Sequence, residues 1–228
     1  MTAQPTGAPV DPKPAPRPGP VTLAGRYGRL ERLNAEKHGP GFWEAVRGHD
    51  DIWTYLSDGP FADFASFAAW LKTVEQNEVR YHYAVIDKSK RVTGTMSLME
   101  IRPAMRVIEV GYIVYAPAMQ RTPLATEAQY LLARYAFEEL GYRRYEWKCD
   151  SLNAPSRRAA LRFGFVYEGL FRQHMIYKAR NRDTAWYSII DGEWPARKRA
   201  FERWLAPENF TADGRQKQSL AAMNDATA

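Results

Sequence analysis

The stretch QRTPLATEA, Gln120–Ala128, places an amide side chain, a guanidinium and a threonine hydroxyl just ahead of a proline. Leu124, Ala128, Leu131, Leu132, Tyr135 and Leu140 recur on one helical stripe, so the spacing predicts a helix to about Leu140 with Gly141 as its stop. Proline is favoured at the first helical position, where its missing N–H would have no partner anyway. Threonine is a good cap because its oxygen accepts from first-turn amides. Thr122 and Pro123 therefore start the helix, and the amides of Leu124 and Ala125 lack intrahelical partners. Those amides and the positive end of the helix dipole suit an anion, with Arg121 and the Thr122 hydroxyl as further donors. A capped helix that binds nothing is the plainer reading of the same residues.

The other reactive side chains are few. Cys149 is the only cysteine, which excludes an intrachain disulfide and a zinc site built from several thiolates. It lies in a strand pattern with no histidine nearby in sequence, and reads as a small buried apolar residue. His174 carries the side chain best suited to proton uptake near neutrality, although a lone strand histidine is more often structural. Glu109 sits among many arginines and would pair with one as readily as act as a base. Asp183, in NRD, would cap a hairpin or meet a cation.

These residues need a scaffold, and the periodicities supply one. GRLERL reads as a short strand, GPGFWEAVRG and DDIWTYL as short helical pieces split by Gly and Asp, and PFADFASFAAWLKTVEQN as a helix. YHYAVIDKSKRVTGTMSLMEI predicts two strands around a polar turn at Asp87–Lys90, followed by the long strand RVIEVGYIVY. After the Thr122 helix come the strand RRYEWKCD and the helix NAPSRRAALRF, with Asn153 as cap and Gly164 as stop. FVYEGLFRQHMIY and DTAWYSII are two more strands, with NRD near their turn. DGEWPARKRAFERWL closes the series as an amphipathic helix. The order predicts a mixed α/β domain on one central, mostly antiparallel sheet, with a βαβ unit and helices on both faces.

Bulk properties set limits. At 228 residues the chain fits one domain with tails. Seven prolines in residues 1–20 predict a disordered arm, residues 21–210 a single folded body, and residues 211–228 a flexible tail. No apolar run approaches the roughly 20 residues of a membrane span, no signal-peptide core is present, and cytoplasm is the default. The net charge of +6 suits anionic partners. The basic patches are interrupted by apolar residues, which disfavours a dedicated nucleic-acid groove.

Four pieces carry a family likeness: IEVGYIVY, QRTPLATEA, NAPSRRAALRFGFVYEG and RNRDTAWYSII. Together they resemble the GCN5-related N-acetyltransferases, within them the branch of the ribosomal-protein alanine and serine N-acetyltransferases, over about Arg29–Glu193. One departure stands out. Pro123 occupies the central glycine position of the family's pyrophosphate loop.

The resemblance implies transfer of an acetyl group from acetyl-CoA to a primary amine, of a protein N-terminus or a small molecule, by direct attack in a ternary complex without a metal. A catalytically weak CoA- or peptide-binding module of the same fold is the alternative. CoA would meet Ile113, Val114 and Tyr115 on the strand, the loop and helix start from Gln120 through Arg121, Thr122, Pro123, Leu124, Ala125 and Thr126, and Asn153 with Ser156. Ser156 would protonate the departing thiolate, and Glu109 or His174 would take the amine's proton. Trp43, Trp53, Tyr55 and Phe61 fall in the helices that wall the acceptor site in this family. Trp53 and Tyr55, with Asp183, are the acceptor candidates. The identity of the acceptor and the oligomeric state stay open, a homodimer included.

Overall fold

The computed structural model describes residues 4–225. Eight strands form one sheet in the order β1-β2-β3-β4-β5-β6-β8-β7. They are β1 (Leu23–Ala24), β2 (Gly28–Arg32), β3 (Tyr81–Asp87), β4 (Val92–Arg102), β5 (Val107–Tyr115), β6 (Arg144–Asp150), β7 (Val166–Tyr177) and β8 (Arg180–Ile190). Among the described residues only β5 and β6 pair in parallel, and the helix between them makes the expected βαβ unit. The helices are α1 (Ala35–Val46), α2 (Phe64–Glu75), α3 (Pro123–Arg134), α4 (Ala154–Arg162), α5 (Trp194–Leu205) and α6 (Leu220–Asp225).

Strand alternation sorts the core into two layers. Ile108, Val110, Tyr145, Cys149 and Tyr187 pack with α3, α5 and α6 in one cluster. Ala84, Ile86, Val92 and Val114 pack with Phe42, Phe67 and Leu71 of α1 and α2 in another. Glu127 of α3 is buried, and its carboxylate accepts from the amides of Arg26, Tyr27 and Gly28 at 2.5, 2.7 and 3.1 Å. A Cβ on Gly25 would sit 2.3 Å from that carboxyl carbon, so only glycine lets the β1–β2 turn close on it.

Several elements differ from the sequence expectation. The first helix starts at Ala35, capped by Asn34, and runs through Gly39-Pro40-Gly41. Burial explains the continuation: Gly39 meets Leu71 of α2, where a Cβ would come within 3.3 Å. The β7–β8 turn is Lys178-Ala179, both at positive φ, as a two-residue hairpin requires, so Asn181–Asp183 lie within β8. The helix after Pro123 ends in a wider turn, Tyr135–Glu139, before Gly141 at φ +70°.

Neither terminal segment is free along its whole length. Among the described residues the arm has no helix or strand before Leu23, yet Ala15 is buried and its amide donates to the Pro103 carbonyl at 3.1 Å. The hydroxyl of buried Tyr142 donates to the Pro16 carbonyl at 3.1 Å, and the Gly19 amide donates to the Tyr135 hydroxyl at 2.9 Å. Buried tyrosine hydroxyls need partners, and the arm supplies them. The C-terminal segment docks as well: Leu220 and Met223 of α6 are buried in the main core, an apolar pair that the polar composition around it hides. Met1–Ala3 and residues 226–228 lie outside the described residues.

Candidate active site

The site begins where the parallel ladder stops. β5 and β6 pair from Val107↔Arg144 to Val110↔Trp147, after which β5 runs on to Tyr115 and β6 to Asp150 without pairing to each other. On the other side of β5 the register passes from Ser97↔Gly111 to Thr95↔Val114, so β5 carries one residue more than β4. That bulge leaves Tyr112 and Ile113 without register partners and holds Tyr112 at φ +52°, an unusual conformation for a bulky residue. The strands part, and Ile113–Tyr115 have no partner in β6. Val114 and Tyr115 still pair with β4, through Thr95 and Gly94.

Trp147 and Lys148 are consecutive residues of β6 and point to opposite faces of the sheet. On the α3–α4 face, the Trp147 indole N–H donates to the Ser156 hydroxyl at 3.0 Å. An oxygen that accepts keeps its own proton available to donate. The Asn153 side chain accepts from the Ser156 amide at 3.1 Å, which caps α4 and fixes the serine at its first turn. Cys149 is buried beside it, and burial pushes its thiol up, with Ser156 opposing, so it stays a thiol.

On the other face, Lys148 Nζ lies 2.6 Å from Glu109 Oε2 and 3.0 Å from Glu146 Oε2. Glu109 is only 5% exposed, and burial pushes its carboxyl up to about 7 against the pull of Lys148. Its other oxygen faces Gly111, where a Cβ would lie 3.3 Å from Oε1 and 2.6 Å from Met99 Sδ. The absent side chain leaves Oε1 turned toward the bulge. Arginine was the partner the sequence suggested, and lysine is what the fold brings.

Trp186 of β8 lies under Lys148, with Nζ 4.1 Å from the ring centroid. His174 of β7 stands beyond it, 6.0 Å from the Trp186 ring, with Nδ1 2.9 Å from the Thr184 hydroxyl. Glu109 and His174 thus share a face, separated by Trp186 and Lys148, and Ser156 is on the opposite face across the parting of β5 and β6.

The helix start is built as the spacing predicts. Thr122 caps α3, accepting from Ala125 N at 3.4 Å, and Pro123 is the first helical residue. The Thr122 hydroxyl gives its proton to the Met119 carbonyl at 2.6 Å, so it is not the spare donor that the sequence suggested. Arg121, at φ +62°, is exposed, and among the described residues no carboxylate pairs with it. The Gln120 side-chain amide donates to the Tyr115 carbonyl at 3.1 Å, tying the loop to the end of β5. Leu124, Ala125 and Thr126 turn inward and are buried, and Thr126 accepts from Arg162 at 3.0 Å. They face a ligand only through backbone amides.

Two of the acceptor candidates serve the fold. Trp53 is 2% exposed and packs edge-on against Phe61 and Trp70, with centroids 5.2 and 5.4 Å away. Asp183 accepts from the Gln173 amide at 2.7 Å and from Asn181 at 3.0 Å, which ties β7 to β8. Tyr55 is half-buried and donates to the Leu152 carbonyl at 3.1 Å, closing the early loop over the β6–α4 junction. Nearby, the Ser57 hydroxyl is 3.3 Å from the Tyr112 hydroxyl, and Lys178 donates to the Trp53 carbonyl at 2.8 Å. Tyr112 and Lys148 are the site residues that sequence reasoning passed over. A polar residue alternating in register with Glu146 was the available signal for Lys148; nothing local marked Tyr112 as a bulge.

Residues 29–166 match the acetyltransferase (GNAT) domain. The chain belongs to the GNAT acetyltransferase family. It is 50% identical to a GCN5-related N-acetyltransferase of known structure from Brucella melitensis, with a TM-score of 0.92 over 93% of this chain and 98% of that one. It is 30% identical to the ribosomal-protein-serine acetyltransferase of Escherichia coli over 54% of this chain and 71% of that one. Two Bacillus subtilis N-acetyltransferases, one of them named as ribosomal, are 31% identical over 46% and 45% of this chain, and the match spans 57% of the length of each. Among the described residues no helix is long and apolar enough to cross a membrane.

Proposed function

We propose that the protein is an acetyl-CoA-dependent N-acetyltransferase that acetylates a primary amine by direct attack in a ternary complex. The observation that carries this reading is the parting of β5 and β6 beyond Val110 and Trp147, with Ser156 on one side and Glu109 on the other. Acetyl-CoA supplies a carbonyl already activated as a thioester. The chain then has to hold the pyrophosphate, orient the carbonyl, collect a proton from the amine and return one to sulfur.

The residues fit those tasks. The first-turn end of α3, with exposed Arg121 beside it, suits a pyrophosphate; Pro123 withdraws one amide donor from it but breaks no helical hydrogen bond, because N1 has no helical partner. The bulge at Tyr112–Ile113 leaves backbone groups facing the gap for the pantetheine and the carbonyl. Glu109 takes the amine's proton through Oε1. With a carboxyl held near 7, it is basic enough to accept and acidic enough to release. Ser156 gives its proton to the departing sulfur. His174, exposed on β7, shares the Glu109 face and is the alternative group to take the amine's proton. The acceptor we favour is a peptide amino terminus, since relatives are named for ribosomal proteins.

The test is calorimetric titration of CoA, then thiol release with acetyl-CoA across a panel of peptides and small amines. Replacing Arg121 with Ala should weaken CoA binding about ten- to a hundredfold without unfolding the protein. Ser156→Ala should cut turnover and leave CoA affinity intact. A wild-type protein that fails to bind CoA sinks the reading.

A further inference from the structure

Six charged side chains form one chain across four strands of the sheet. Glu146 Oε1 accepts from Arg144 at 2.7 Å, and Oε2 accepts from Arg102 at 2.6 Å and Lys148 at 3.0 Å. Arg144 also grips Glu168 of β7 with both Nη atoms, Nη1 at 2.7 Å. Three carboxylates thus face three cations, but the cations are unevenly shared. Glu146 touches all three, and Glu109 touches Lys148 alone.

The register makes this unevenness matter. Glu109 and Glu146 are direct partners in the β5–β6 ladder, and like charges directly opposite one another repel. Glu100 of β4 adds a further negative charge on the Glu109 side. Lys148 bridges the pair, its side chain 10% exposed and stacked on Trp186. Glu146 stays ionised because Arg144 and Lys148 outweigh its burial, and it would keep both arginines without Lys148. Glu109 would keep nothing.

We propose that Lys148 is the positioning residue that sets where Glu109 gains and loses its proton. It holds Oε2 as the ion-paired oxygen and leaves Oε1 free toward Gly111 and the bulge. The proposal rests on Glu109 as the base, and the variants separate the two ideas. When Glu109 accepts the amine's proton the cluster gains one positive charge, which passes to solvent when the carboxyl releases it.

The experiment is the pH profile of kcat/KM for acetyl transfer to the best acceptor of the panel, in the full chain. Glu109→Gln should abolish the acidic limb, and a limb that survives there removes Glu109, and the proposal with it. With the limb assigned to Glu109, Lys148→Met should move it to higher pH by about one unit or more, because the carboxylate loses the one cation that pairs with it among the described residues. Lys148→Arg should restore most of the profile. Arg102→Gln should leave the limb in place, because Glu146 keeps Arg144 and Lys148. CoA affinity should be unchanged in all of them. A folded Lys148→Met enzyme with an unmoved limb overturns the proposal. If that variant does not fold, Lys148→Gln takes its place under the same criterion, and failure of both to fold makes Lys148 structural and overturns it as well.

Discussion

The two faces of β5, β6 and β8 are both buried and are built from opposite chemistry. One carries Ile108, Val110, Tyr145, Trp147, Cys149, Tyr187 and Ile189 and packs under the helices. The other carries Glu109, Glu146, Thr184 and Ser188, each at most 5% exposed. Burying apolar area stabilises at about 25 cal/mol per Å² with no demand on partner geometry. Burying charges brings a desolvation cost that the ion pairs offset only while all partners are in place. The charged face is therefore the costlier way to close a sheet. Its position beside the parting of β5 and β6 gives it a use that the apolar face lacks.

Breaking either face should show the difference, beginning with the largest effect. Glu146→Leu removes the carboxylate that holds three cations and should destabilise by about 3–5 kcal/mol in urea unfolding. A loss under about 1 kcal/mol would mean that the cations find water or other partners. On the apolar face, Ile108→Ala should cost about 2–5 kcal/mol by cavity formation, with no change in the pH dependence of stability.

That pH dependence belongs to the charged face. The carboxyl of Glu109 is raised from 4.5 to about 7, so the folded state binds a proton that the unfolded chain releases. The contribution is fully present below about 4.5 and is lost as pH rises toward and through about 7. Glu109→Gln should flatten the fall of denaturation midpoint across that window, and an unchanged slope would assign it to another group. The smallest effect is expected from Tyr145→Phe. Its hydroxyl is buried without a partner among the described residues, so its removal should shift stability by less than about 1 kcal/mol, toward stabilisation.

The polar and apolar halves were also unequally legible. The α3 start could be read from Thr122, Pro123 and the apolar stripe because capping and periodicity are local. The same holds for Asn153 at α4 and for the strands themselves. Trp53 illustrates the limit: an aromatic beside a Gly-Pro turn looks exposed in sequence, and packing against Phe61 and Trp70 decides otherwise. The docked arm and α6 were hidden for a related reason, since their few anchors, Ala15, Leu220 and Met223, are diluted by polar neighbours.

By itself the sequence determined most of the segments that become helices and strands, where α3 begins, and which side chains could carry protons, because these follow from local propensity and short-range spacing. Only the tertiary structure decided that β5 gains a residue at Tyr112 and parts from β6 after Val110. It also decided that Lys148 rather than an arginine meets Glu109. Each of these depends on strand register, and register is set by contacts between segments far apart in the chain, where a shift of one residue would exchange the two faces of the sheet.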